Sequence, residues 1–350
     1  MSEKISIGVL GAGTWGVALA RMLSNAGHSV TVWSAIGSEI DNLLQTRIHP
    51  NMPDTILPTQ IEFTKDIRAA CDNKKIILFA VPSPFVRATA KNAAPYISSG
   101  QIIVDVAKGI EADTLLTMTE IISEEVGRKI NCESKESDIA IVALSGPTHA
   151  EEVIKDLPTT IVSASKDMQA AEYVQSVFNT ECMRVYTNDD ILGVELCGAT
   201  KNIIALACGI AMGLGCGDNT KAAIITRGIA EISRLGAAMG CREQTFGGLA
   251  GIGDLIVTAT SMHSRNFRCG ILIGKGASAD EAAAQVGMVV EGLNALPAAI
   301  RLAKKYNVQM PIIEAVDAVV SGKISVSDVI HLLMSRDLKS EIANLSFQDR

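Results

Sequence analysis

The chain has 350 residues, of which 48% are hydrophobic, 20% are charged and only 4% are aromatic, and its formal net charge is −7. This length exceeds what one hydrophobic core usually organises, so we expect two domains. The acidic balance argues against a nucleic-acid partner and against an anionic membrane surface, because both select basic patches. The scarcity of aromatic residues also argues against stacking platforms for single-stranded nucleic acid.

Strand patterns alternate with helical patterns through the first half of the chain. A helix over 14–25 follows the first strand, and several later strands are continuous apolar runs, which are typical of parallel strands covered on both faces. The alternation predicts an α/β N-terminal domain with a Rossmann-type doubly wound sheet. The predicted strands are residues 5–10, 29–33, 76–81, 102–107, 139–144, 160–165 and 183–187.

The pattern changes after about Asp190, where strand alternation vanishes and helical spacing continues. This change predicts an all-α C-terminal domain, with domains over 1–190 and 191–350. We expect residues 131–138 to form a polar surface loop and residues 339–350 to fray. The predicted helices are residues 190–214, 220–239, 292–306 and 311–320.

Cysteine spacing and the N-terminus indicate the compartment. None of the eight cysteines forms a Cys-x-x-Cys pair, so we expect free thiols and no metal site. The chain enters a strand pattern at once, without the basic and apolar stretches of a secretory signal, so we expect a cytoplasmic protein. The uncharged stretch 203–217 is too short for a membrane span, and we expect a buried core helix rather than membrane insertion.

Gly11, Gly13 and Gly16 have the Gly-x-Gly-x-x-Gly spacing between the first strand and the first helix. Gly11 allows a tight turn, Gly13 lets the backbone approach a pyrophosphate, and Gly16 permits close packing of helix and strand. The helix N-terminus then offers free N–H groups to the phosphates. A plain tight turn is the alternative, but the position between a strand and a helix favours a dinucleotide site.

The end of the second strand bears on the choice of dinucleotide. NAD-specific sites usually place an acid there to hold the ribose 2′-hydroxyl. This strand ends Trp33-Ser34-Ala35-Ile36, with no acid before Glu39 and with no arginine following it. We expect Ser34 to contact the cofactor, and the pattern favours NADP, or use of both NADP and NAD.

Several motifs occur together and in a fixed order. Their combination closely resembles the bacterial NAD(P)-dependent glycerol-3-phosphate dehydrogenases, from Gly8 to about Arg336. The resemblance implies interconversion of sn-glycerol 3-phosphate and dihydroxyacetone phosphate, which feeds glycerophospholipid synthesis, by a cytoplasmic homodimer. The motifs are GAGTWG (11–16), FAVPS (79–83), AKGIE (107–111), LSGPTHAEEV (144–153), GATKNIIALACGI (198–210), GDNTKAAIITRG (217–228), AGIGDLIVTATS (250–261), SRNFRCG (264–270) and VVEG (289–292).

The resemblance also implies the site residues. It makes Lys201 the catalytic residue, and it places Lys108 and Arg265 at both substrate and cofactor. Ser34-Ala35 departs from the basic residue that the family often has there, which weakens the expectation of NADP. The further cofactor contacts that it implies are Thr14, Trp15, Ala150, Val289 and Glu291, and the further substrate contacts are Gly146, Thr148, Asp254, Ser264 and Asn266.

Lys201 is the only charged residue between Glu195 and Asp218. A buried ammonium is costly unless it is paired or used. Two interpretations stay open: a lysine whose head reaches solvent, or a polar turn with Thr200 and Asn202 that lets Lys201 exchange a proton with the substrate oxygen. For Asp254 we consider both helix capping and the orientation of Lys201.

Other residues also have competing interpretations. Lys108 follows a strand at the sheet edge where ligands bind, although a solvated loop lysine would look the same. We expect Arg265 to hold a phosphate, and we treat Arg268 as a surface residue. His149 is expected to be structural rather than a general base. The rival functions are a β-hydroxyacid or 6-phosphogluconate-type dehydrogenase and a catalytically silent NADP-binding sensor.

Overall fold

A computed structural model describes residues 4–130, 139–335 and 337–338 of the chain. The stretches 131–138 and 339–350, for which the sequence predicts a surface loop and fraying, lie outside the described residues. Internal packing divides the chain into two compact units. The N-terminal unit comprises Met1–Lys108 and Thr117–Ile191, and the C-terminal unit comprises Gly109–Leu116 and Leu192–Arg350. The assignment of a separate role to each domain stays a prediction.

The N-terminal unit contains an eight-stranded sheet and a separate two-stranded hairpin. Most buried positions of the strands are apolar, and the strands over Ile76–Phe79 and Ile102–Asp105 are buried along their whole length. In chain order they are β1 (Ser6–Leu10), β2 (Ser29–Trp33), β3 (Ile48–His49), β4 (Met52–Ile56), β5 (Glu62–Thr64), β6 (Ile76–Phe79), β7 (Ile102–Asp105), β8 (Ala140–Ser145), β9 (Thr159–Ala164) and β10 (Met183–Asn188).

The strand order in the sheet is β10-β9-β8-β7-β6-β1-β2-β5. The strands from β5 to β8 are parallel, and the order reverses between β1 and β6. Strand β9 is antiparallel to β8, so the sheet is mixed at this edge. The predicted Rossmann-type doubly wound fold is confirmed. The hairpin β3–β4 and the short edge strand β5 were not predicted, because they lack the apolar runs that mark the other strands.

Helices of the N-terminal unit cover the sheet. Helix α1 begins one residue after Gly13, which has an extended backbone, and ends before Gly27, whose φ is +96°. Helix α7 is capped by the Asp167 carboxylate, which accepts from the N–H groups of Gln169 and Ala170. The helices are α1 (Thr14–Asn25), α2 (Gly37–Thr46), α3 (Ile67–Cys71), α4 (Val86–Ala93), α5 (Met118–Ile130), α6 (Ala150–Val153) and α7 (Met168–Phe178).

The regular elements described in the C-terminal unit are helices, as predicted. A five-residue π-helical turn, Leu249–Gly253, precedes α11. The helices are α8 (Ile191–Gly213), α9 (Asp218–Met239), α10 (Glu243–Phe246), α11 (Asp254–Thr260), α12 (Arg265–Gly274), α13 (Ala279–Val286), α14 (Glu291–Lys305), α15 (Pro311–Val320) and α16 (Val326–Met334).

Helix α8 is the core of the C-terminal unit. By length and composition it is apolar enough to cross a membrane, yet 89% of its most apolar window is buried inside the protein, so the predicted core helix is confirmed. Helix α12 packs directly on its backbone. A Cβ on Gly209 would lie 2.2 Å from the carbonyl oxygen of Phe267, and one on Gly213 would lie 2.4 Å from that of Ile271. These glycines therefore fix α12, which carries several predicted site residues, against α8.

Candidate active site

The glycine-rich loop joins β1 to α1, and each of its glycines is required for a different reason. Gly11 has φ +125°, and a Cβ there would lie 2.6 Å from the Ala80 carbonyl oxygen. A Cβ on Gly16 would lie 2.2 Å from the Gly11 carbonyl oxygen. A Cβ on Gly13 would meet no atom within 4 Å, so this position faces open space. The loop is therefore shaped for a ligand that approaches the backbone at Gly13.

The open space lies where dinucleotides bind in such sheets. The strand order reverses between β1 and β6, and the N-terminus of α1 lies at the carboxyl end of β1. Thr14 and Trp15 are the first two residues of this helix, and their contact with a cofactor stays a prediction. The hairpin reaches the same place, because the Asn51 side-chain amide donates to Thr14 Oγ1 at 3.0 Å. These residues fit the pyrophosphate of a dinucleotide.

At the end of β2, the contacts of Ser34 differ from the free cofactor contact that the sequence leads us to expect. Ser34 Oγ donates to Glu39 Oε2 at 2.6 Å and accepts from the Ile36 N–H at 3.1 Å. The predicted NADPH preference rests on the absence of an acid before Glu39 in the sequence, and the structure brings the Glu39 carboxylate itself to this edge. The preference stays a prediction. The chain turns back after Ser34, so the first turn of α2 brings Glu39 to the end of the strand although it is five positions further on.

The carboxyl ends of β7 and β8 bring three predicted site residues together. Lys108 Nζ and Thr148 Oγ1 both donate to the Gly146 carbonyl oxygen, each at 3.1 Å. Ala150 follows as the first residue of α6, and His149 is the residue before that helix. Lys108 is therefore held at the ligand-binding edge of the sheet rather than on a freely solvated loop.

Lys201 lies in the middle of α8 and is only 5% exposed, so its head does not reach solvent. Its Nζ donates to Asp254 Oδ1 at 2.5 Å and to Thr258 Oγ1 at 2.6 Å. Thr258 in turn donates to the Asp254 carbonyl oxygen at 2.6 Å. The buried ammonium is thus paired with a buried carboxylate and oriented by a hydroxyl.

Asp254 is the first residue of α11, and the residue at the N-cap is Gly253, so the predicted capping role is wrong. Its carboxylate instead accepts from Lys201, as the second interpretation predicts. Thr258 is a site residue that the sequence does not predict. The only signal is its position four residues after Asp254, which places both side chains on one face of α11.

The Asn266 side chain ties three helices together. Its amide nitrogen donates to Asn202 Oδ1 at 2.9 Å, and its oxygen accepts from the Gly292 N–H at 2.8 Å. The predicted cofactor residues Val289 and Glu291 flank the start of α14, next to Gly292. These bonds hold the beginnings of α12 and α14 against α8, and a direct contact of Asn266 with substrate stays a prediction.

The beginning of α12 carries the predicted phosphate site. Ser264 is its N-cap, and Ser264 Oγ accepts from the Phe267 N–H at 3.2 Å. Arg265 opens the helix, with Arg268 one turn later. The expectation that Arg268 is a surface residue holds only in part, because the residue is partly exposed while its Nε is buried without a hydrogen-bond partner in the described part of the chain. Its position one turn into a helix that packs directly on α8 accounts for this burial.

These features define a class of protein. A Rossmann-type sheet with a fitted glycine-rich loop, followed along the chain by a helical unit with a buried lysine–aspartate pair, is typical of dinucleotide-dependent dehydrogenases. Within the described residues, no group of three or more His, Cys, Asp or Glu side chains is arranged to hold a metal ion.

Comparison with known proteins identifies the family. Residues 6–171 match the NAD-dependent glycerol-3-phosphate dehydrogenase N-terminus, and residues 190–331 match the C-terminus of the same family. The chain is 62% identical to glycerol-3-phosphate dehydrogenase [NAD(P)+] 2 of Lactobacillus delbrueckii subsp. bulgaricus over 96% of this chain and 98% of that protein. It is 46% identical to the Bacillus subtilis enzyme, with 96% of each chain covered. The chain therefore belongs to the NAD-dependent glycerol-3-phosphate dehydrogenase family.

A solved structure agrees with this assignment. The glycerol-3-phosphate dehydrogenase of Coxiella burnetii is 33% identical and superimposes with a TM-score of 0.89, covering 95% of this chain and 99% of that one. The predicted family is thus confirmed over nearly the whole chain.

Proposed function

We propose that this protein catalyses the NAD(P)-dependent interconversion of dihydroxyacetone phosphate and sn-glycerol 3-phosphate. The family and the names of its relatives support this reaction. The observation that carries the proposal is the buried Lys201, whose Nζ lies 2.5 Å from Asp254 Oδ1 and 2.6 Å from Thr258 Oγ1. A paired, oriented ammonium in a protein core is the group that acid–base chemistry at a substrate oxygen requires.

The glycine-rich loop and the N-terminus of α1 hold the pyrophosphate of the dinucleotide, with Gly13 leaving the space that it needs. When bound, the nicotinamide supplies or accepts the hydride. The chain's own task is to position the carbonyl of the substrate and to manage the charge and the proton on its oxygen.

Lys201 serves as the proton donor in the direction of reduction. Its ammonium polarises the C2 carbonyl of dihydroxyacetone phosphate and protonates the oxygen as negative charge develops there. In oxidation the neutral amine accepts the hydroxyl proton. Asp254 and Thr258 fix the direction of Nζ, because each lies within hydrogen-bond distance of it. Asp254 also compensates the lysine charge while no substrate is bound.

Cationic side chains hold the phosphate and the cofactor. Arg265 at the start of α12 presents a planar guanidinium to the substrate phosphate. Lys108, fixed on the Gly146 carbonyl oxygen at 3.1 Å, contributes a second positive charge at the carboxyl edge of the sheet. Gly146, Thr148, Ser264 and Asn266 are further substrate contacts, and Ala150, Val289 and Glu291 are further cofactor contacts in this proposal.

We place the protein in the cytoplasm, supplying glycerol 3-phosphate for glycerophospholipid synthesis as a homodimer. One observation supports the homodimer. A mainly apolar cavity of about 750 Å³, also lined by Arg227 and Arg234, opens between helices of the C-terminal unit. Its apolar lining includes Leu214, Ile224, Ile330 and Leu333, with Met334 81% exposed at its edge. Sedimentation equilibrium measures the assembly directly, and a monomer at micromolar concentration would remove this part of the proposal.

The reaction is tested by following the absorbance of the reduced nicotinamide on addition of dihydroxyacetone phosphate. We expect consumption of the reduced cofactor and formation of glycerol 3-phosphate, identified by mass spectrometry. A β-hydroxyacid and 6-phosphogluconate serve as control substrates in the oxidative direction. Turnover of either control without turnover of glycerol 3-phosphate would favour the rival dehydrogenase, and cofactor binding without any turnover would favour the silent sensor.

A further inference from the structure

We infer that Glu39 selects NAD over NADP by placing its carboxylate where the 2′-hydroxyl of the adenosine ribose binds. The inference rests on the proposed function only in taking the glycine-rich loop as a dinucleotide site. It reverses the cofactor preference that the sequence alone favours, because the deciding contact joins residues that are five positions apart in the chain.

The end of β2 lies directly beside the glycine-rich loop. Leu10 and Trp33 are partners in the register of β1 and β2, and the Gly11 N–H donates to the Trp33 carbonyl oxygen at 2.8 Å. Ser34 is therefore the first residue beyond the strand at the edge where the adenosine ribose lies in Rossmann sites. In NAD-specific members of that fold, an acid at this edge accepts hydrogen bonds from the ribose.

Ser34 is only 6% exposed, and its hydroxyl serves as a link rather than as a free ligand. Ser34 Oγ accepts from the Ile36 N–H, which orients its proton toward Glu39 Oε2 at 2.6 Å. No described residue donates a hydrogen bond to the second oxygen, Glu39 Oε1. A carboxylate oxygen with capacity to accept is therefore held at the end of β2, as a ribose hydroxyl requires.

Neighbouring cations are engaged elsewhere. Lys65 Nζ lies 3.7 Å from the position of a Cβ on Gly37, but it is paired with Asp41 at 2.6 Å. The Arg47 guanidinium donates to the Ile61 carbonyl oxygen at 2.6 Å and stacks on Phe63.

His49 also faces this edge. Burial lowers the pKa of His49, and the opposing effect of the nearby Glu39 charge is smaller, which favours the neutral form of the imidazole. A 2′-phosphate would thus meet the Glu39 carboxylate with little compensating charge, whereas a 2′-hydroxyl would meet an acceptor.

A purely structural role for Glu39 predicts different behaviour. Glu39 lies in the first turn of α2, where a carboxylate is stabilised by the helix dipole without any ligand. In that case, replacing Glu39 would lower stability and leave the ratio of cofactor affinities unchanged. The two roles are therefore separated by measuring affinity and thermal unfolding on the same variants.

The experiment is a fluorescence titration of the whole chain with NADH and with NADPH, in the absence of substrate. We expect the wild type to bind NADH about 10-fold or more tightly than NADPH. Glu39→Gln should reduce this ratio by about 10-fold, mainly by strengthening NADPH binding, because glutamine carries no charge. Asp72→Asn is the matched control, since it removes one exposed carboxylate from the same unit at a different place, and it should leave the ratio unchanged.

Several outcomes would overturn the inference. They are equal or tighter binding of NADPH by the wild type, equal shifts in Glu39→Gln and Asp72→Asn, or a loss of stability in Glu39→Gln with an unchanged ratio. Ala35→Arg provides an independent variant at an exposed position, and it should improve NADPH binding. Because the titration needs no substrate, a clear NADH preference without turnover of dihydroxyacetone phosphate would contradict the proposed function and leave this inference intact.

Discussion

The glycine-rich loop of the N-terminal unit and the lysine centre of the C-terminal unit are built in opposite ways. The loop is a continuous segment, Gly11–Gly16, in which three glycines lack the Cβ atoms that would meet the backbone at Gly11 and Gly16 or occupy the open space at Gly13. The lysine centre joins residues 53 positions apart, and its proposed function depends on the charges of two buried side chains. Adding a side chain to the glycine-rich loop should therefore damage the first region. Removing one of the two paired charges should damage the second.

The largest effect is expected at the lysine centre. Lys201→Met should lower kcat by about 10²–10⁴-fold, because it removes the proposed proton donor while keeping a side chain of similar length. Cofactor affinity should change little, since the glycine-rich loop belongs to the N-terminal unit. Steady-state kinetics beside a cofactor titration measure both quantities.

Lys201→Arg is the matched control for charge. It preserves a cation opposite Asp254 but does not release its proton, so we expect no recovery of kcat. Near-normal kcat in the methionine variant would make Lys201 a packing residue. Recovery by arginine would show that the positive charge suffices and that proton transfer is not its role.

A second buried ionisable side chain in the same unit should control stability rather than catalysis. Burial raises the pKa of Glu231 to about 7, although its carboxylate accepts from the N–H groups of Ile312 and Ile313 at the start of α15. The folded protein thus holds this proton more tightly than the unfolded chain does. The stabilisation that protonated Glu231 adds to the folded state is fully present below the ordinary pKa of 4.5. It falls as the pH rises to about 7, and it is lost above that value.

The pH-dependent stabilisation by Glu231 amounts to at most about 3 kcal/mol in the free energy of unfolding. Glu231→Gln should abolish most of that pH dependence, because the amide stays neutral and still offers an acceptor to α15. Urea unfolding between about pH 5 and pH 8 measures it. Glu172→Gln on α7 is an exposed control that should retain the wild-type profile. An unchanged profile in Glu231→Gln would mean that another group is responsible.

The two regions also differ in how far the sequence predicts them. The three glycines of the loop could be assigned from their spacing together with their position between a strand and a helix, since the backbone geometry of a strand–turn–helix requires them at fixed positions. The approximate bounds of the central strands and of α8 also follow from apolar periodicity. Lys201 is conspicuous because it interrupts an apolar run, but its carboxylate partner comes from a distant helix, and only the family resemblance indicated it.

Contacts that depend on three-dimensional folding account for what the sequence does not predict. Glu39 reaches Ser34 through a turn, Thr258 joins Lys201 from another helix, and Arg268 is partly buried at the start of α12. None of these follows from periodicity, because each depends on how elements pack. The antiparallel placement of β9 is missed for the same reason, since apolar runs carry no direction.

The next effect concerns the phosphate site on α12. Arg265→Ala should raise the substrate KM by about 30-fold, which corresponds to about 2 kcal/mol for a charged hydrogen bond. Arg268→Ala should have a smaller but measurable effect, because Nε of Arg268 is buried although the residue as a whole is partly exposed. Lys275→Ala at the exposed C-cap of the same helix should change nothing. Equal KM values for the three variants would remove the phosphate site from α12.

The smallest effect is expected in the glycine-rich loop, where two glycine-to-alanine substitutions test whether the space around the backbone is needed. A Cβ on Gly16 would lie 2.2 Å from the Gly11 carbonyl oxygen, so Gly16→Ala should destabilise the ligand-free protein by about 1–3 kcal/mol. A Cβ on Gly13 meets no protein atom within 4 Å, so Gly13→Ala should unfold at nearly the wild-type temperature without ligand. It should nevertheless weaken cofactor binding by about 10-fold, because the methyl group occupies space that the pyrophosphate needs.

Thermal unfolding without ligand, paired with a cofactor titration, separates the two effects. If Gly13→Ala bound the cofactor normally, the open space above this residue would not be the pyrophosphate site, and the first region would lose its proposed function while the lysine centre kept its own.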